Sequence, residues 1–178
     1  MKGKNMDTLE TKRLYMRPLR ADDLEAIKRT LQDEKAMYAY EGAFTDREAA
    51  NWLIRQLIRY EDWGFGLYGV ERKEDGRFIG QCGLTYQPWR GGQVLEVGYL
   101  LERYYWHQGY ATEAARAFMD YAFQTLHAPE VSSLIRDTNE PSMNVARRNG
   151  MVPVDDDVKY FRGVARRYIR FCKKGEEF

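Results

Sequence analysis

Residues 95–151 read LEVGYLLERYYWHQGYATEAARAFMDYAFQTLHAPEVSSLIRDTNEPSMNVARRNGM. The apolar, β-branched run from Val94 to Leu101 has the composition of a strand and ends near the bulky Tyr104, Tyr105 and Trp106. A turn containing Gly109 follows, and then Ala111, Ala114, Ala115, Phe118, Met119, Ala122 and Leu126 recur at helical spacing. Strand, tight turn and helix in this order make an anion site. The first N–H groups of a helix have no intrahelical partner, and the helix dipole adds partial positive charge there. Gly109 allows a ligand close to the backbone and Ala111 keeps the next inward position small. His107, Gln108, Gly109, Tyr110, Ala111 and Thr112 would supply amides to a phosphate, with the Thr112 hydroxyl as a further donor.

Working outward, residues 131–136 (VSSLIR) form a short strand that the intervening helix makes parallel to the Val94–Leu101 strand. A helix from about Glu140 to Asn149 follows, with Asn139 as its N-cap and Gly150 as its stop. Upstream, Phe65 to Glu71 and Phe78 to Tyr86 are strands joined across the hairpin signal Asp75-Gly76, and residues 87–93 (QPWRGGQ) read as a second turn. Near the N-terminus, residues 1–11 read as a loose lead and Arg13 to Leu19 as a strand stopped by Pro18. Asp22 with Glu25 resembles a capping box for a helix carrying Leu24, Ile27 and Leu31. Thr45 with Glu48 caps another, bearing Ala49, Leu53, Leu57 and Tyr60. Residues 33–44 lack a period. After residue 150, Met151 to Val154, Lys159 to Arg162 and Ala165 to Cys172 read as closing antiparallel strands around Gly163. The expectation is one α+β domain over residues 1–178: a mixed, mostly antiparallel sheet with helices on both faces.

The 28 basic and 27 acidic residues nearly cancel. No global field therefore draws in nucleic acid or an anionic membrane, although Arg147-Arg148 and Arg166-Arg167 are either local phosphate contacts or solvated surface. Cys82 and Cys172 lack ligand spacing and sit in apolar runs, as reduced core thiols do. The polar opening MKGKNMDTLE is no signal peptide, and no apolar run has the length of a membrane span. A cytoplasmic protein is expected. His107 and His127 form no metal or triad set, so no metal is expected.

The order of an EVGY strand (96–99), WHQGYATEA (106–114) and NEPSMNVARRNG (139–150) resembles the GNAT superfamily of acyl-CoA N-acetyltransferases. More narrowly it resembles the RimJ/RimL branch, named for ribosomal-protein alanine N-acetyltransferases. The family's phosphate loop runs Arg/Gln-x-x-Gly-x-Gly/Ala; Gly109 and Ala111 match its last two fixed places, and Trp106 stands where Arg or Gln is usual. The resemblance implies a central strand pair that splays apart, acetyl-CoA as co-substrate and no metal. It implies that Val97, Gly98 and Tyr99 hold the pantetheine arm, Gly98 being suited to a bulge and close approach. Asn139 and Asn144 would also hold the arm, and Ser142 would hold the arm or its sulfur. Tyr38, Tyr40, Glu41 and Phe44 would wall the acceptor site; their alternative role is to pack the connection between two helices.

Acetyl transfer to an amine needs a neutral amine, a held thioester and some way to stabilise the departing thiolate. Glu96 is the candidate base, its other reading being a structural carboxylate paired with an arginine; burial would raise its pKa. Ala146 stands where many relatives carry an acidic tyrosine. The function expected is direct acetyl transfer to a primary amine, with a protein N-terminus as one acceptor. A small cationic amine is another, suggested by Glu34, Glu41, Asp46, Glu61 and Asp62, and a non-catalytic CoA-binding module is the rival. Monomer and homodimer are both open.

Overall fold

The computed structural model describes residues 8–40 and 42–176. Eight strands form one sheet: β1 (Leu9–Glu10), β2 (Leu14–Pro18), β3 (Leu67–Arg72), β4 (Phe78–Trp89), β5 (Gly92–Leu101), β6 (Glu130–Arg136), β7 (Val152–Phe161) and β8 (Val164–Lys174). Their spatial order is β1-β2-β3-β4-β5-β6-β8-β7. Every neighbouring pair is antiparallel except β5 and β6, which are parallel. The helices are α1 (Leu24–Leu31), α2 (Asp46–Trp63), α3 (Tyr110–Gln124) and α4 (Glu140–Arg148).

Strand alternation assigns the helices to faces. Tyr68 of β3 meets Phe118 of α3 edge-on at 5.2 Å, and its cross-strand partner on β4 is Cys82. Gln81, one residue earlier on β4, points the other way and exchanges hydrogen bonds with Thr30 of α1 at 2.9 and 3.1 Å. Helices therefore cover both faces, and the core runs through the sheet between them. At its N-terminus α2 has the expected capping box, Thr45 with Glu48, and α4 has Asn139 accepting from the Ser142 amide.

Four local expectations are corrected. The acid at the entry to α1 is Asp23, not Asp22: it accepts from the Arg20 amide at 2.7 Å and pairs with Arg17, a partner beyond any local capping pattern. Residues 87–93 are mostly strand, because Arg90 (φ 46°) and Gly91 (φ 78°) alone make a two-residue turn of the primed kind, matching the sheet's twist. The strands expected at 151–154 and 159–162 are one continuous β7, whose register shift between Pro153 and Asp155 absorbs the proline. At the N-terminus, Leu9 and Glu10 pair with β2 where a loose lead is expected; residues 1–7 lie outside the described residues.

What positions the site is the divergence of β5 and β6, which pair at Glu96↔Ser132 only. Side chains take over the next ladder groups. The Leu134 N–H donates to the Glu96 carboxylate at 2.9 Å, and the Ser133 hydroxyl donates to the Val97 carbonyl at 3.3 Å. With those groups occupied the strands part, and the edge of β5 from Gly98 onward faces a cleft. No bulge occurs at Gly98, which stays in register with Gly83. Its contribution is room: a Cβ there would meet only the Glu96 Oε1, at 3.8 Å.

Gly83 has no such room. A Cβ would stand 2.1 Å from the Gly66 carbonyl oxygen and 2.8 Å from the Leu67 Cα, both backbone. Gly83→Ala is expected to destabilise the fold by about 3 kcal/mol through forced separation of β3 and β4. Urea denaturation measures this, and a loss under about 1 kcal/mol would show that the strands move apart freely.

Candidate functional site

The turn before α3 is held from the far end of the sheet. Glu113 in the first turn of α3 accepts from the Thr11 hydroxyl (2.6 Å), the Arg13 amide (2.9 Å) and the Arg13 Nε (2.7 Å). Burial opposes ionisation of Glu113, but these donors outweigh it and hold the carboxyl below its ordinary value. Arg13 also donates to the Gln108 carbonyl at 2.9 Å and lies over the Tyr110 ring. This clamp fixes a backbone in which His107 (φ 60°) and Gly109 (φ 81°) are left-handed. The amides that open α3 then face a cleft of about 1200 Å³ between α3, α4 and β5. The Thr112 hydroxyl in its wall is buried and has no hydrogen-bond partner among the described residues. A buried donor without a partner costs about 1–3 kcal/mol, and an anion seated on these amides would supply the missing acceptor.

A second cavity, about 280 Å³, lies on the other side of the β5 edge. Glu96 lines it. Removal from bulk water pushes the Glu96 carboxyl up to about 7, against the pull of the Leu134 N–H, Lys159 and Arg59. The two cavities meet at Tyr40, Tyr99, Leu100, Asn139 and Ser142, each of which lines both. There the Tyr99 hydroxyl donates to the Ser142 carbonyl at 3.2 Å, and the Tyr40 hydroxyl donates to the Tyr99 carbonyl at 3.0 Å. Burial pushes the Tyr99 phenol up, so it keeps its proton at neutral pH.

The residues singled out from sequence divide between these spaces. His107, Gly109, Tyr110, Ala111, Thr112 and Asn144 line the larger cleft, whereas Val97, Gly98 and Phe44 line the smaller cavity. Gln108 lines neither space: its carbonyl accepts from Arg13 and its side chain donates to the Tyr104 carbonyl. Tyr38 lines the larger cleft and lies under Arg136. Glu41 is outside the described residues. Of the arginine pairs, Arg148 lines the larger cleft, Arg147 pairs with Glu140 and Arg167 with Asp156, and Arg166 donates to the Tyr40 carbonyl. Sequence reasoning missed Arg55, Arg59, Arg136 and Lys159, all of which line the smaller cavity. The signal for the first two was their four-residue spacing on α2, which puts both on one face.

Among the described residues no three His, Cys, Asp or Glu side chains could hold a metal, and no helix is long and apolar enough to cross a membrane.

A parallel strand pair that opens beside a helix N-terminus, with a large cleft on one side and a smaller cavity holding the Glu96 carboxyl on the other, is an arrangement suited to acyl transfer. A family model of the acetyltransferase (GNAT) domain matches residues 13–152, and the chain belongs to that family of acetyl-CoA-dependent N-acetyltransferases. It is 33% identical over 144 residues to the uncharacterized protein YkkB of Bacillus subtilis (strain 168), covering 80% of this chain and 84% of that one. An acetyltransferase from Agrobacterium tumefaciens superposes with a TM-score of 0.79 at 28% identity, covering 96% of this chain and 95% of that one. RimL, a ribosomal-protein α-N-acetyltransferase solved with coenzyme A, shares the fold with a TM-score of 0.78 at 15% identity, covering 95% and 98%.

Proposed function

We propose that the protein transfers the acetyl group of acetyl-CoA to a primary amine in the smaller cavity, by direct attack and without an acyl-enzyme. The observation that carries this is the Glu96 carboxyl, in the wall of the smaller cavity on the strand whose next residues reach the junction of the two cavities, with burial pushing it up to about 7. A base with a pKa near the working pH takes a proton from an ammonium without being permanently charged. The larger cleft fits the coenzyme: the α3 amides and the orphaned Thr112 hydroxyl answer a pyrophosphate, and the open β5 edge at Gly98 and Tyr99 answers an amide-bearing arm. Bound there, acetyl-CoA supplies the activated thioester.

In this reading Glu96 removes the amine proton, and Asn139 and Ser142 orient the arm at the junction. Ala146 is buried in α4 and offers no phenol. The Tyr99 hydroxyl, which donates to the Ser142 carbonyl at rest, takes that place by turning its one proton from that carbonyl to the departing sulfur. Tyr99→Phe is expected to lower kcat by about tenfold, the worth of one hydrogen bond, with little change in the Kd for acetyl-CoA. Stopped-flow thiol release and calorimetry would measure the two; an unchanged kcat removes Tyr99 from the chemistry.

The likeness to RimL, an α-N-protein acetyltransferase, supports an α-amine, such as a protein N-terminus, as acceptor, and a place near the RimJ/RimL branch. A polycationic acceptor is less favoured, since Glu34, Asp46, Glu61 and Asp62 line neither cavity. The experiment is thiol release from acetyl-CoA across N-terminal peptides, free amino acids, polyamines and aminoglycosides, with mass spectrometry of the protein during turnover. An accumulating acetyl-enzyme would overturn direct attack.

A further inference from the structure

Charge in the smaller cavity is one-sided. Arg55, Arg59, Arg136 and Lys159 line it, and Glu96 is the one carboxylate among the described residues that does so. Ten arginines elsewhere carry a carboxylate partner: Arg13, Arg17, Arg29, Arg72, Arg77, Arg103, Arg147, Arg162, Arg167 and Arg170. Among the described residues, none of the four cations of the cavity does. Arg136 is spent on the Tyr38 carbonyl at 2.7 Å, and Lys159 rests over Trp89, 3.3 Å from the Pro88 carbonyl.

Arg59 donates to Gln56 at 3.2 Å and lies over Trp63. Arg55, one turn earlier, has no hydrogen bond or ion pair among the described residues. Two guanidinium groups four residues apart repel each other. Burial first, and then Arg55, hold the Arg59 pKa below its ordinary value. That repulsion is relieved by an anion shared between the two forks, whose planar donors match the oxygens of a carboxylate or phosphate.

We infer that the acceptor is an amine that also carries an oxoanion, carboxylate or phosphate, which Arg55 and Arg59 hold while Glu96 takes the amine proton. This rests on the smaller cavity being the acceptor site. The two kinds of charge in the cavity then have opposite tasks. Glu96 faces the ammonium, and the α2 arginines face the anion, so the acceptor enters in one orientation. An amino acid, a peptide with an acidic residue beside its N-terminus, and a phosphoamine share this chemistry.

The test is kcat/KM for matched pairs: glycine against glycinamide, Asp-Ala-Ala against Asn-Ala-Ala peptides, and phosphoethanolamine against ethanolamine, with spermidine as the cationic control. The oxoanion member of at least one pair is expected to win by about tenfold or more, the worth of a charge-assisted hydrogen bond, and which pair shows it separates carboxylate from phosphate. Arg55→Gln and Arg59→Gln are expected to raise KM for that acceptor by about tenfold with a smaller change in kcat, and Arg55→Lys to recover part of the loss. Neutral members matching their partners, spermidine exceeding all of them, or no turnover of any anionic amine would each overturn the inference. Titration with acetyl-CoA separates the failures: if the coenzyme binds, the anion assignment alone has failed, and if it does not, the proposed activity falls with it.

Discussion

Glu96→Gln is expected to lower kcat/KM for the acceptor by about 10²–10⁴-fold, the usual contribution of a positioned general base. The substitution preserves the fold around the splay, because a glutamine oxygen can still accept the Leu134 N–H that the carboxylate now takes at 2.9 Å. Its pH dependence distinguishes catalysis from architecture. With the Glu96 carboxyl at about 7, wild-type kcat/KM should fall about tenfold per pH unit below that value as the base is protonated. The amine's own titration persists in the variant, so the Glu96 limb is the part of the wild-type profile that the variant lacks. A variant within about threefold of wild type from pH 6 to 8 would leave Glu96 as a ladder substitute for Leu134 and nothing more.

The same substitution has a stability signature of opposite sign. The folded carboxyl keeps its proton to about 7, whereas the ordinary value is 4.5. A raised acid is most favourable to folding below the unfolded value, and its contribution is lost as pH rises through the folded one. Wild type should therefore lose about 3 kcal/mol between those limits from this group, while Gln, which does not titrate, does not. Glu96→Gln should match wild type near pH 4 and be the more stable protein at pH 8, by urea denaturation. A variant that is both more stable and nearly inactive is what a charge held in the wrong dielectric for catalysis predicts.

Legibility from sequence followed the range of the interactions. The Gly109 turn, the Asn139 and Thr45 caps and the parallel pair could be read because each rests on residues a few positions apart or on a helix between two strands. The Arg13–Glu113 clamp spans 100 positions and has no local pattern. Asp23 was displaced from Asp22 by Arg17, a partner outside the capping pattern. The cationic character of the smaller cavity was hidden for a related reason. Arg55 and Arg59 come from α2, Arg136 from β6 and Lys159 from β7, and they form a cluster only when the sheet closes. Tyr99 was expected, from the resemblance, to lend backbone to the arm. Its phenol reaches Ser142 of α4 because β5 and β6 separate, which alternation along one strand does not foretell.

Gly109→Val tests the other half of the site and is expected to weaken acetyl-CoA binding by about 10–100-fold. Gly109 stands at φ 81°, where a non-glycine residue costs roughly 1–2 kcal/mol, and a Cβ would come within 3.3 Å of the Arg13 Nη2. The turn has two ways to respond. It can keep its shape at that cost, or it can relax φ and rotate the amides of Tyr110 and Ala111 away from the cleft. Relaxation is favoured because α3 beyond Glu113 is anchored in the core by Ala114, Ala115 and Phe118, so the strain is released in the turn and not in the helix. Losing aim on one charge-assisted donor costs about 1.5–3 kcal/mol, which sets the tenfold-to-hundredfold range. Calorimetric titration with acetyl-CoA and with a phosphate-free thioester such as acetyl-pantetheine separates the causes. If the turn binds the pyrophosphate, the variant loses affinity for the first and not for the second. Equal losses would mean that the valine has closed the cleft as a whole, and an unchanged Kd for acetyl-CoA would move the phosphates off this turn.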